Sequence, residues 1–223
     1  MLIKVFKWIN SFCFMIDRFD KRKRDVLSKL DKSHKGEWDE KIAELCDSIN
    51  SFDSYYTTSS CSGRIVLMIE QDKKDKGLFL SVYHDKISFK KLKEDLNEII
   101  KPHHHYHNHP TKEKVNTKLK HPNFQNIKFK LEPCILHIAC KTLEDSQKIY
   151  EKAKLAGWKK SGIIGMKSGF VVELNGTDRL EFPIINANKI LVSDEFLEIV
   201  VEESNKKLEK SWIKIKRLEK LLK

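Results

Sequence analysis

Residues 57–64 read TTSSCSGR, after Tyr55-Tyr56 and before the apolar run IVLMIE. Five of these eight side chains carry a hydroxyl, one is a thiol, one is glycine, and the stretch closes on Arg64. Serine and threonine in a turn present hydroxyls and leave backbone N–H groups open. Glycine admits a ligand close to the backbone, and a guanidinium offers a planar fork to a phosphate or carboxylate. The stretch therefore predicts a turn at a strand mouth, with Ser59, Ser60, Cys61, Ser62, Gly63 and Arg64 as an anion cradle. A hydroxyl-rich turn with Arg64 in a surface ion pair fits the same residues. The G-x-x-x-x-G-K-[ST] frame of a Walker loop is missing, and so is a G-x-G-x-x-G after a strand.

Histidine is the other chemistry-bearing type. In the tract PHHHYHNHP, His103, His105, His107 and His109 have the residue type of a first-row metal site. They share one loop, no carboxylate lies among them, and successive residues cannot all converge on one ion. A solvated loop is expected and no metal is assigned. His137 alternates with Leu136 and Ile138 and so faces opposite to them in a strand. A satisfied core histidine and a functional one both fit that pattern.

The elements that must hold these residues follow from apolar spacing and caps. Helical periodicity marks 18–30 and 37–50, and Ser88 reads as the N-cap of a helix carrying Phe89, Leu92, Leu96 and Ile99. Thr142 with Asp145 resembles a capping box and Gly157 a C-terminal cap, bracketing a helix over 143–156. Strands are predicted at 64–70 and 78–84, joined by QDKKDKG, and along 127–140 with a bend at Pro133. SGIIGMKSG reads as a strand and tight turn. VVEL-NG-TDRLEF reads as a hairpin on an Asn-Gly turn, KILVS as one more strand, and the chain after Ser193 as a long helix with acid first and base last. Residues 103–126 form a long loop, and 1–17 an apolar extension too interrupted by Lys4 and Lys7 for a membrane span. The expectation is α+β: a mixed β-sheet with flanking helices and a long basic C-terminal helix, non-Rossmann, with 18–223 as one domain.

The formal net charge of +11 favours a polyanionic partner, nucleic acid ahead of a membrane surface. Lys21, Arg22, Lys23 and Arg24, with Lys214, Lys216 and Arg217 near the end, are the candidate phosphate contacts. Five cysteines without a C-x-x-C pair argue against a disulfide framework or cysteine zinc site and fit a reducing cytoplasm.

Y-Y-T-T-S-S-C-S-G-R-I also resembles the signature of the tRNA wybutosine-synthesizing protein 3 family in its archaeal form. Further matching stretches follow in order: Tyr83-His84, F-K-L-E-P-C-I-L-H-I-A-C from Phe129 to Cys140, A-x-x-A-G-W-K-K-S-G-I from Ala153 to Ile163, Lys167-Ser168-Gly169 and Leu180-Glu181-Phe182-Pro183. The resemblance covers residues 18–223. It implies a methyltransferase using S-adenosylmethionine. The implied target is ring nitrogen 4 of a 7-aminocarboxypropyl-demethylwyosine-type base at position 37, in the anticodon loop of phenylalanine tRNA. DNA and membranes are not expected as partners.

Such a reaction needs a cradle for the donor's carboxylate and a group to take the acceptor's proton. The residues matching the family are Glu132, His137 and His84 for the proton. Those for donor or substrate are the Ser59–Arg64 stretch with Ser161, Gly162, Lys167 and Gly169. A non-catalytic tRNA-binding module is the alternative, since it needs only the basic faces and aromatics.

Overall fold

Local capping fixes where the helices begin. The computed structural model describes residues 18–28, 39–70, 78–101, 126–165 and 169–223. Helix α1 spans 18–27. Helix α2 (Glu40–Asn50) starts after Asp39, whose carboxylate accepts from Lys41 N. Helix α3 (Phe89–Ile100) starts after Ser88, whose side chain accepts from Lys91 N. Thr142 Oγ1 accepts from Asp145 N at 3.0 Å and donates to Asp145 Oδ2 at 2.8 Å, opening α4 (Leu143–Ala156) as the capping pattern predicts. Gly157 closes it at φ 97°, a left-handed geometry that favours glycine. Helix α5 (Asp194–Leu222) is the long C-terminal helix, with Asp194 and Glu195 in its first turn and Lys220 in its last. The strands are β1 (Tyr55–Cys61), β2 (Arg64–Ile69), β3 (Phe79–Tyr83), β4 (Asn126–Glu132), β5 (Ile135–Cys140), β6 (Gly162–Gly165), β7 (Phe170–Asn175), β8 (Leu180–Asn186) and β9 (Lys189–Ile190). The apolar extension 1–17, the His-rich tract 103–109 and Lys167 lie outside the described residues. No helix among those described is long and apolar enough to cross a membrane.

The expected α+β, non-Rossmann class holds, but among the described residues the strands form two sheets and every pairing is antiparallel rather than mixed. Within 18–223 the chain makes two compact units. The first takes residues up to Ser62, Cys134–Thr177 and Ser211–Lys223; the second takes Gly63–Pro133 and Asp178–Lys210. The first unit holds a sheet of order β1-β5-β7-β6, the second one of order β3-β2-β4-β8-β9. Pro133 and Cys134 separate β4 of one sheet from β5 of the other, so the predicted bend is a change of sheet.

The predicted Asn175-Gly176 hairpin does not form. Strands β7 and β8 belong to different sheets. Gly176 N–H donates to Cys134 O at 2.9 Å rather than closing a two-residue turn. The hairpin of this type lies later, where Asn186 pairs with Lys189 across Ala187 and Asn188, at φ 46° and 59°. Both central residues with positive φ are what a type I′ turn requires. KILVS accordingly contributes only the two residues of β9.

One face of the first sheet is dry. Leu136, Ile138, Cys140, Val172 and Leu174 pack with Ile42, Leu45 and Ile49 of α2, Ile149 and Ala153 of α4, and Ile215 and Leu218 of α5. Each such fully buried aliphatic side chain contributes about 1.5–3 kcal/mol. Trp158 is wholly buried in this core, its indole N–H donating to Lys214 O at 3.3 Å. The opposite face is only partly covered. Phe19 of α1 packs on Tyr56 and Ala139 there, with ring centroids 5.1 Å apart for Phe19 and Tyr56. Lys141 anchors the helix through Asp20 at 3.0 Å.

In the second unit, the Tyr83 hydroxyl donates to Asp95, a buried carboxylate that also takes Lys91 at 2.7 Å. Burial and this bond raise the Tyr83 pKa well above the usual phenol range. Phe129 stacks on Phe182, which meets Phe196 edge-on. Asn205 holds the turn before α3 by accepting from Ile87 N and donating to Ile87 O.

Ala187→Gly removes a left-handed penalty of about 1–2 kcal/mol, partly offset by the extra freedom of glycine in the unfolded chain. Chemical denaturation should therefore show a gain of about 0.5–1 kcal/mol. Burial, with Asp145 and Cys140 nearby, pushes the Tyr55 phenol up to about 12. The folded chain thus prefers neutral Tyr55, and its contribution is full below the ordinary tyrosine pKa of about 10. It is lost as pH rises to about 12. Tyr55→Phe should cost about 1 kcal/mol at neutral pH, from the lost bond to Asp145 O, and should flatten that alkaline decline.

Candidate active site

Three polar side chains cross the open face of the first sheet in one row. Ser59 on β1 pairs in register with His137 on β5, and His137 pairs with Glu173 on β7. Cross-strand partners lie close enough for side chains to meet. Ser59 Oγ is 2.6 Å from His137 Nδ1, and His137 Nε2 is 2.8 Å from Glu173 Oε2. Ser59 is exposed, and the His137 and Glu173 side chains retain 27% and 33% of their accessible surface. His137 is therefore not a core histidine: Leu136 and Ile138 face the dry side and His137 the open one, as the alternation predicts. Beyond Glu173 the register reaches Gly162 on β6, where a Cβ would meet nothing within 4 Å. The row thus ends in open space.

The TTSSCSGR stretch is mostly strand rather than turn. Thr57–Cys61 complete β1, because pairing with β5 satisfies their backbone groups. Thr57 faces α2, its N–H donating to Asn50 Oδ1 at 2.8 Å. A register shift between Thr57 and Ser59 marks a bulge at Thr58. Only Ser62 and Gly63 form the bend into β2. Ser62 is wholly buried, and both its N–H and its hydroxyl donate to Asp39 Oδ2. Gly63 sits at φ 105°. Cys61 and Ser60 are partly exposed.

Arg64, Glu132 and His84 belong to the second unit. Arg64 Nε donates to Glu132 Oε2 at 2.7 Å across the β2–β4 pair, and its guanidinium lies 4.9 Å from the Phe79 ring centre. The ion-pair reading of Arg64 is thus met, and the Glu132 carboxylate is engaged by a cation rather than by a histidine. His84 follows the end of β3 and is partly exposed. In the second small-residue stretch, Ser161 Oγ donates to Trp158 O at 2.8 Å, and Gly169 has φ 126°.

The two basic clusters are on opposite faces of the first sheet. Helix α1 packs on the open face through Phe19, leaving Lys21, Arg22 and Arg24 exposed and Lys23 partly buried. The end of α5 packs on the dry face through Ile215, Leu218 and Leu222. There Lys216 and Arg217 are exposed and Lys214 is partly buried. Lys216 pairs with Glu44 at 2.7 Å and Glu219 at 3.6 Å; its pKa is raised by these bonds. Exposed pairs of this kind contribute little.

Two residues of this arrangement escape sequence reading. Asp39 carries an N-cap signal, an acidic residue just before an apolar-periodic run, but its bond to Ser62 joins positions 23 residues apart. Glu173 alternates with Val172 and Leu174, which signals an outward carboxylate in a strand; its histidine partner is set by register alone. Ser62→Ala removes a hydroxyl donor to a carboxylate, so urea denaturation should show a loss of about 1.5–3 kcal/mol.

The family described as Methyltransferase TYW3 matches residues 21–223. A tRNA wybutosine-synthesizing protein 3 homolog from Danio rerio is 31% identical over 212 residues, covering 92% of this chain and 75% of that protein. A Pyrococcus furiosus protein named tRNA(Phe) 7-((3-amino-3-carboxypropyl)-4-demethylwyosine(37)-N(4))-methyltransferase 1 is 32% identical, covering 91% and 94%. Among solved structures, PH1069 from Pyrococcus horikoshii superposes with a TM-score of 0.76 at 30% identity, covering 94% of this chain and 98% of that one. An Aeropyrum pernix protein at 22% identity and TM-score 0.63 shares the fold. None of these supports a purely RNA-binding module. The chain belongs to the TYW3 methyltransferase family.

Proposed function

We propose that this protein transfers a methyl group from S-adenosylmethionine to ring nitrogen 4 of a 7-aminocarboxypropyl-demethylwyosine-type base at position 37 in the anticodon loop of phenylalanine tRNA, in the cytoplasm. The observation that carries this reading is the meeting of Ser59 and His137. They come from two family-matching stretches 78 residues apart and lie 2.6 Å from each other on an open sheet face. The acceptor nitrogen must lose a proton as it gains a methyl group, and an accessible imidazole is the commonest group to receive one. Glu132 is less suited, since Arg64 holds its carboxylate.

A sulfonium donor with an amino-acid tail supplies an electrophilic methyl group and presents a carboxylate. The exposed Ser59 hydroxyl and the partly exposed Cys61, which share the open face of β1, fit a small polar ligand on the first unit. Arg64 fits a carboxylate or phosphate. Lys21, Arg22 and Arg24 share the face of His137, so we assign them to tRNA phosphates, where they add affinity and no base choice. Lys216 and Arg217, on the other side of that sheet, are assigned to more distant phosphates.

The test is incubation with donor and phenylalanine tRNA lacking only the final ring methyl, followed by mass spectrometry of the released nucleoside. One added methyl on the tricyclic base is expected, and an unmodified base under conditions where tRNA binds refutes the reading. For Arg64→Ala, calorimetry should show donor binding weakened by about 1.5–3 kcal/mol with the salt slope of tRNA binding intact. A slope reduced by about one with normal donor affinity would instead assign Arg64 to a phosphate.

A further inference from the structure

We infer that Glu173 is a positioning residue that fixes the tautomer of His137, so that Ser59 Oγ, rather than the imidazole itself, receives the acceptor's proton and passes its own to His137 Nδ1. This rests on the methyl-transfer reading of the site. A carboxylate can only accept hydrogen bonds, so Glu173 Oε2 at 2.8 Å requires the proton of neutral His137 to sit on Nε2. Nδ1 is then the lone-pair nitrogen, and at 2.6 Å it takes the Ser59 hydroxyl proton. Ser59 is thereby oriented with its oxygen lone pairs outward.

The three residues lie directly opposite one another on adjacent strands, so the order Ser59–His137–Glu173 is fixed by backbone pairing. Of the three, Ser59 is the exposed member, and His137 and Glu173 are each about a third accessible or less. A large acceptor on the open face meets Ser59 first. In the step, the acceptor nitrogen forms a bond to the methyl carbon as the carbon–sulfur bond breaks, sulfur keeping the electron pair. The N–H proton moves to Ser59 Oγ while the Ser59 hydroxyl proton moves to His137 Nδ1. His137 then carries two protons, and its positive charge faces the Glu173 carboxylate. The same logic of acid, imidazole and hydroxyl operates in hydrolytic triads, recognised by geometry and role rather than by fold. Here the hydroxyl relays a proton and forms no covalent bond.

The test uses the full chain labelled with ¹⁵N-histidine, with Glu173→Leu as the main variant; leucine suits a strand, and Glu173→Gln serves as a second variant if Leu impairs folding. Long-range ¹⁵N–¹H correlation spectra should show wild-type His137 as the Nε2–H tautomer, and the Glu173→Leu spectrum should show the Nδ1–H form appearing. Single-turnover methyl transfer should slow about 10- to 100-fold, with donor and tRNA dissociation constants unchanged within about twofold. Ser59→Ala should slow it similarly and leave the wild-type tautomer in place. An Nδ1–H tautomer in the wild type, or a shifted tautomer with an undiminished rate, overturns the relay. If the wild type itself does not methylate the tRNA, the functional reading fails, while the tautomer spectra still decide what Glu173 does to His137.

Discussion

A one-residue slip of β5 against β1 or β7 would turn His137 into the apolar core, so the register of the first sheet is the constraint on which the site depends. That register is held from the dry side. Leu136, Ile138, Val172 and Leu174 are wholly buried and cannot exchange faces with their neighbours without exposing the core. The bulge at Thr58 completes the alignment. Tyr56 opposes Ala139 and Thr57 opposes Ile138, yet Ser59 opposes His137. Regular pairing would have put Thr58 there and aimed Ser59 at the core face beside Leu136. One extra residue re-phases the strand and delivers the hydroxyl to the imidazole, a use of bulges common beside functional sites.

Charge and burial divide the work in the first unit. The polar row occupies the sheet face that α1 leaves partly open, and α1 brings exposed cations to that same face. The net charge of +11 supplies long-range attraction to a polyanion, while discrimination must come from what the open row and its surroundings can recognise. In the second unit the charged groups near the matching residues are engaged internally, Arg64 with Glu132 and Asp95 with Tyr83 and Lys91. The first bond fixes side-chain directions across the β2–β4 pair, and the second ties β3 to α3.

Signals that act within a few residues were legible in the sequence. Thr142 and Gly157 bracket α4 because capping groups bond to a backbone one turn away, and Ser88 does the same for α3. Alternation put His137 opposite its aliphatic neighbours. Where partner strands decide the outcome, local reading failed. Asn175-Gly176 has the composition of a hairpin turn, but β7 and β8 find partners in separate sheets. Thr57–Cys61 has the composition of a turn, but pairing with β5 makes it a strand. Glu173 and Asp39 went unassigned because their partners, His137 and Ser62, are remote in sequence. The family resemblance supplied the chemistry that spacing alone does not contain, and the register shows which matching residues meet.

Whether the imidazole on the open face of the first sheet takes part in methyl transfer is decided by the single-turnover rate of a His137→Gln variant on bound tRNA. Glutamine keeps hydrogen-bonding capacity and strand geometry but cannot take up the proton at neutral pH. A rate reduced about 10²- to 10⁴-fold is expected, with tRNA and donor affinities retained. A wild-type rate from that variant, with both ligands bound, would contradict that role.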